Sequence, residues 1–290
     1  MKVDSRFDIF PYLLVAPALL LTLTFTIYPI FYAIQISFFK VKMVNIGAFV
    51  GLANYSFVLG DRRTAVDIAN SFAFTFGSMA GTMLCGLFFA VILNERIRGR
   101  TVFRAGLLVP WVVTEIVSMM LVKWMLHYDA GLVNFAISLF GGKRVDFLGS
   151  VRFAMLTVIA ANVWRGFAFT MIIILAGMQS IPESIFEAAT LDGISFLRKV
   201  FSIIVPLIKG PLLVNIVITT ISYFNRVTPI LVLTGGGPVT ATETLGLRMY
   251  LEAFGSLRMA DASVFGVLIL VINLVLILVY TRVIRMESYY

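Results

Sequence analysis

Residues 180–211 read SIPESIFEAATLDGISFLRKVFSIIVPLIKGP. This charged, helix-prone stretch lies between two long apolar ones, where a simple connection needs only a few polar residues. Ser180 followed by Glu183 has the spacing of a capping box, and Pro182 is tolerated in a first helical turn. Helix-favouring residues continue to Leu191 and include Glu187, Ala188 and Ala189. Asp192-Gly193 then supplies a stop, because glycine readily takes the left-handed conformation that ends helices. A second helical piece is expected from Ile194 to Ile204, carrying Arg198 and Lys199 and leading to Pro206. On these residues alone the segment is either an amphipathic tie lying at an interface or a docking surface.

The surroundings decide the class. Hydrophobic residues make up 60% of the 290-residue chain and charged ones 13%. Mean hydropathy is +0.99, outside the range of soluble domains. The net charge of +8 suits the Lys/Arg excess of cytoplasmic loops. Its dispersal, without a basic run, argues against a nucleic-acid partner. The single cysteine, Cys85, permits no internal disulfide. Asp4 and Asp8 interrupt the basic start made by Lys2 and Arg6. Residues 9–39 then carry no charge, which is too long for a signal core and reads as a retained first span.

About 20 apolar residues cross a bilayer core, and each crossing must be helical because lipid offers the backbone no partners. Six candidates follow: roughly 10–38, 69–93, 104–127, 153–178, 211–233 and 262–282. The expected fold is an all-α polytopic membrane protein, residues 1–290 forming a single transmembrane domain with the loop 180–210 between spans four and five. Six spans put both termini on one side. With the N-terminus inside, eleven basic residues fall in short inner segments (Lys2, Arg6, Arg96, Arg98, Arg100, Arg104, Arg198, Lys199, Lys209, Arg282, Arg285). Nine fall in the longer outer loops (Lys40, Lys42, Arg62, Arg63, Lys143, Arg144, Arg152, Arg248, Arg258). That bias favours cytoplasmic termini and a cytoplasmic loop 180–210.

Within that loop, Glu187-Ala188-Ala189, three residues, Gly193, nine residues, Ile203, one residue and Val205-Pro206 resembles the loop shared by membrane subunits of binding-protein-dependent ABC importers. That family has Leu where Val205 stands. The stretches LLVAPALLLTLTFTIYPIFYAIQISF, FVGLANY (49–55), RGRTVFRAGLLVPW (98–111), LAGMQSIPESIFEAATLDG (175–193) and LTGGGPVTATETL (233–245) are similar to its carbohydrate branch, which includes maltose and glycerol-3-phosphate permeases. The short first outer loop resembles the glycerol-3-phosphate and oligosaccharide members. The resemblance implies a bacterial or archaeal inner-membrane permease subunit, half of a sugar pathway. It also implies a heterodimer with a second permease, two cytoplasmic ATPase subunits that bind ATP and Mg, and an extracytoplasmic solute-binding protein. The loop becomes a coupling helix, with Glu187, Ala188, Ala189, Asp192, Gly193 and Pro206 engaging the ATPase.

Ionisable residues at membrane depth are functional hypotheses by default. Glu115 lies roughly 16 Å past Arg104 and Arg165 roughly 18 Å past Phe153 at helical rise, so both sit near the midplane. Asn225 and Arg226 lie somewhat outward, and Lys123 is placed to snorkel at the outer interface. Glu115 and Arg165 make either a structural ion pair or, with Asn225 and Arg226, a polar pathway for a hydroxylated solute. Trp111, Trp124, Trp164, Tyr223 and Phe224 are the aromatics nearest in sequence. The GGGPVTATETLG segment lacks the Lys-Ser/Thr of a phosphate loop and is expected at the outer mouth, against a solute-binding protein. Neither a Gly-x-Ser-x-Gly elbow nor a His-Glu-x-x-His pair occurs, and the only histidine is His127, so no catalytic, cofactor or metal residues are assigned. The alternatives are an ion-gradient-driven secondary transporter and an intramembrane enzyme.

Overall fold

The computed structural model describes residues 10–42, 45–95 and 98–287. Lys2, Arg6 and Arg96, counted above toward the inner side, lie outside the described residues, as does the side chain of Arg285. The chain is helical nearly throughout and forms two compact units.

One unit joins the chain up to Gly60 with Met249–Leu268. Its first apolar run is helical over Phe10–Thr22, passes through a π-helical turn at Leu23–Ile27, and continues as Tyr28–Ser37. A small antiparallel hairpin follows, Phe39–Lys42 against Asn45–Phe49, which hydropathy alone did not suggest. Asn54 Nδ2 ties it down by donating to the carbonyls of Ser37 at 2.8 Å and Phe39 at 3.0 Å. Arg258 Nε reaches Glu252 at 3.0 Å and Asp261 at 2.9 Å. Its guanidinium lies over the Phe57 ring, 5.4 Å from the centroid.

The second unit, Asp61–Arg248 with the chain from Ile269, is built on two long helices, Arg62–Asn94 and Val151–Met178. Asp61 caps the first, accepting from Arg63 N at 3.0 Å. Its buried face repeats every three or four residues as Asp67, Ser71, Thr75, Ser78 and Thr82, while Leu84 and Phe88 on other faces stay exposed. In lipid no hydrophobic drive separates helices from solvent, so small and polar groups make the packing seam. A Cβ on Gly86 would come within 2.6 Å of Thr170 Cγ2 and 3.1 Å of Met171 N. Below this seam Ala90, Leu93, Met171, Ile174, Met178, Ile204 and Ile208 form an apolar core. Arg104 donates to Leu93 O at 2.6 Å and closes the end of the long helix.

Among the described residues four helical segments are long and apolar enough to cross a membrane: Tyr12–Ser37, Arg62–Asn94, Val151–Met178 and Met259–Arg282. The expected spans 104–127 and 211–233 differ from the structure. The former begins at Arg100 and is two helices, Arg100–Val112 and Glu115–Met125, bent by 96°. Val113 and Thr114 are extended there, with ψ of 142° and 135°. The latter belongs to another bent pair, Phe196–Leu207 and Lys209–Phe224, at 80°. Its helix stops at Phe224, and a short helix, Thr228–Leu233, starts only after Asn225–Val227. Pro229 suits the restart, standing in the first turn of the new helix where its missing N–H costs nothing.

Candidate functional site

The two interruptions meet. Glu115 opens the helix Glu115–Met125, its carboxylate at the positive end of the helix dipole. Arg226 follows the end of Lys209–Phe224. Arg226 Nε lies 3.3 Å from Glu115 Oε1. One terminal nitrogen donates to Asn162 Oδ1 at 2.9 Å, and the guanidinium covers the Tyr223 ring at 4.8 Å. The ion pair that sequence reasoning offered as Glu115–Arg165 is thus made by Glu115 and Arg226. Arg165 lines the same cavity as Arg226.

Arg165 is the fifteenth residue of the 28-residue helix Val151–Met178. One terminal nitrogen donates to Val113 O at 3.5 Å, a carbonyl freed by the break. Ser118 Oγ similarly reaches Pro110 O across the break at 3.4 Å. Arg165 Nε is buried and has no hydrogen-bond partner among the described residues. A cavity of about 230 Å³ opens here, lined by Trp111, Arg165, Phe169, Thr219, Ser222, Tyr223 and Arg226. Trp111 and Phe169 stack at 5.7 Å with 19° between planes. Gly166 lets the Tyr223 hydroxyl pack against the helix Val151–Met178, since a Cβ there would collide with it.

The cavity therefore unites Arg165 and Arg226, while Glu115 steadies Arg226 and Asn225 lies off it. Asn225 instead donates to Ile221 O at 2.7 Å and accepts from Asn273 Nδ2 at 3.0 Å. Of the aromatics nearest in sequence, Trp111 and Tyr223 line the cavity. Trp164 and Trp124 lie at other grooves, and Phe224 is buried against Phe72. Lys123 Nζ donates to Val232 O at 2.8 Å. Sequence reasoning missed Asn162, Phe169, Thr219 and Ser222. The signal was present as helical spacing, with Asn162, Arg165 and Phe169 on one face of one helix and Thr219, Ser222 and Tyr223 on one face of the other.

The loop at 180–211 folds much as its residues suggest. Glu183–Leu191 is helical, Gly193 has φ +64°, and Ile194 N donates to Ala189 O at 3.1 Å. That bond runs from C″ to C3 and is the hydrogen bond of a Schellman stop. The capping box is not made: Ser180 Oγ turns back to Gly177 O at 2.8 Å. The second piece starts at Phe196 rather than Ile194, with Ser195 at its N-cap. Ala189 is 4% exposed and faces its own chain, whereas Glu187, Ala188 and Asp192 point out beside Leu191, which is 89% exposed. Lys199 Nζ pairs with Glu95 at 3.3 Å and lies 5.2 Å over the Phe186 ring.

The glycine-rich segment packs on the helix Arg62–Asn94. Asn70 Nδ2 donates to Thr240 O and Glu243 O, both at 2.9 Å, and Ser71 Oγ accepts from Leu245 N at 2.9 Å. Val239 at its tip is 92% exposed. Among the described residues no group of three metal-ligating side chains is present.

Residues 82–286 match the family model described as binding-protein-dependent transport system inner membrane component. The chain is 37% identical to the trehalose/maltose transport system permease protein MalF of Thermococcus litoralis, over 94% of this chain and 91% of that protein. It is 30% identical to the sn-glycerol-3-phosphate transport system permease protein UgpA of Agrobacterium fabrum, over 97% of both. Its fold matches a chain in the crystal structure of a bacterial alginate ABC transporter with a TM-score of 0.84 at 22% identity, covering 97% of this chain and 96% of that one. The chain therefore belongs to the binding-protein-dependent inner membrane component family: it is a multi-pass membrane subunit of an ABC importer, and ATP is hydrolysed on separate subunits.

Proposed function

We propose that the chain forms half of the translocation pathway for a sugar or related polyhydroxylated solute, with the cavity between Arg165 and Arg226 on that path. The observation that carries this reading is that the break at Val113–Thr114 and the interruption at Asn225–Val227 meet where Glu115 pairs with Arg226. Unwound backbone there is tolerated only where protein or a water-filled cavity receives it. Guanidinium donors, the hydroxyls of Thr219 and Ser222, and the Trp111–Phe169 stack supply the hydrogen bonds and flat apolar wall that a hydroxylated ring needs. Each bent helix pair then counts as one crossing, giving six spans with cytoplasmic termini in a bacterial or archaeal inner membrane. A second permease completes the pathway, a solute-binding protein delivers to the face carrying Val239, and two ATPase subunits holding ATP and Mg dock at Glu183–Leu191.

On this reading, ATP binding closes the ATPase pair, pulls the coupling helices together and turns the cavity outward. Glu187, Ala188 and Leu191 form the outward face of the helix, and Gly193 and Pro206 set its angle to the spans behind it. Asp192 marks the stop. The test is uptake by proteoliposomes holding both permeases, the ATPase subunits and the binding protein. Uptake of a sugar-like solute that requires ATP is expected. Uptake driven by an ion gradient without ATP would overturn the reading.

A further inference from the structure

The cavity charges do not balance. Arg226 has its Nε on Glu115 at 3.3 Å, a terminal nitrogen on Asn162 at 2.9 Å and its flat face on Tyr223. Arg165 has one long bond, 3.5 Å to a carbonyl, and a buried Nε with no acceptor among the described residues. Among the described residues Arg165 makes no ion pair, and Glu115 is engaged by Arg226. Two guanidiniums therefore share one carboxylate. An uncompensated cation at this depth is costly, and a buried guanidinium is retained where a paired anion and hydrogen bonds offset its desolvation. A neutral sugar offers acceptors to Arg165 but leaves the charge standing. A carboxylate, phosphate or sulfonate satisfies both, in the two-pronged geometry that guanidinium groups prefer.

We propose, resting on the pathway reading above, that the cavity takes an anionic hydroxylated solute and that Arg165 reads its charge. The acidic group sits on Arg165, and the ring or polyol lies along the Trp111–Phe169 stack. Arg226, held by Glu115, then positions rather than neutralises. This assigns specificity to a residue set apart from Arg226 by its unused donors, not by its depth.

The test is initial uptake by the complete reconstituted importer with its binding protein. The panel sets uncharged mono- and disaccharides and polyols each beside its uronate, phosphate or sulfonate counterpart. Anionic members should be carried in preference. Arg165→Met and Arg165→Gln should cut their uptake about tenfold or more, as truncating one partner of a buried charged pair does, with Arg165→Lys restoring part of it. Preference for an uncharged member overturns the anionic assignment and leaves the pathway standing. Anion uptake unaffected in the Met and Gln variants removes Arg165 as the reader. Loss of the assembled complex in both variants, rescued by Lys, assigns the missing carboxylate to the partner permease and also overturns the proposal. Silence across the panel with the wild-type complex intact overturns the pathway reading and this inference with it.

Discussion

Gly193 takes φ +64°, and a Cβ there would meet nothing within 4 Å. Substitution is therefore a question of backbone conformation alone. Alanine in this region costs about 1–2 kcal/mol, a strain the surrounding core can hold, so Gly193→Ala should transport at a reduced but measurable rate. Proline fixes φ near −65° and removes the turn. Gly193→Pro should abolish ATP-driven uptake while immunoblots find the chain still in the membrane; normal uptake would remove the turn from the coupling account. Glu115 poses the complementary case. Its carboxylate holds Arg226 at 3.3 Å, and Glu115→Gln leaves two guanidiniums facing each other without an anion. The pathway reading expects uptake to fall about tenfold or more while the purified complex elutes unchanged. Equal loss of uptake and of assembled complex would make the pair purely structural.

At the scale of elements, two adjacent alanines separate docking from packing. Ala188 is exposed and Ala189 is 4% exposed, so one side of the helix Glu183–Leu191 faces out and the other rests on Ile181, Ile204 and their neighbours. Ala188→Trp should leave the chain in the membrane and weaken retention of the ATPase subunits. Ala189→Trp should destabilise the chain itself, by roughly 1–3 kcal/mol of overpacking, before any partner is involved. Identical behaviour of the two variants in membrane content and ATPase retention would contradict the assigned face. The helix and its stop were legible because Gly193 and the run Glu183–Leu191 are local signals. The breaks at Val113–Thr114 and Asn225–Val227 were not, since a window of apolar residues reads the same whether its helix is straight or bent. Pro110 and Thr228-Pro229 were the local clues, and each lay within a run that hydropathy joins into a single span.

At the scale of the molecule, composition placed the chain in a bilayer, and the described residues hold four helices long and apolar enough to cross it together with two bent pairs. Arg165 and Arg226 could be named from sequence because charge in lipid is rare, and the structure brings them to one cavity. Their pairing could not, because Glu115 lies between two arginines and only the bent helices decide which it meets. Asn162, Phe169 and Ser222 were hidden for a different reason: polar and aromatic residues are ordinary on buried helix faces, and only the cavity distinguishes them. The family assignment removes the two alternatives, a gradient-driven carrier and an intramembrane enzyme, and places hydrolysis on other chains.

The central claim joins two ends of this chain: a solute cavity at the broken helices and a docking helix whose outward face bears Ala188. ATP hydrolysis by the complete reconstituted importer, with and without solute-loaded binding protein, tests it most directly. The account predicts that the loaded binding protein raises hydrolysis in the wild-type complex and fails to do so in Ala188→Trp, with the variant chain present in equal amount. Equal stimulation of both would contradict it.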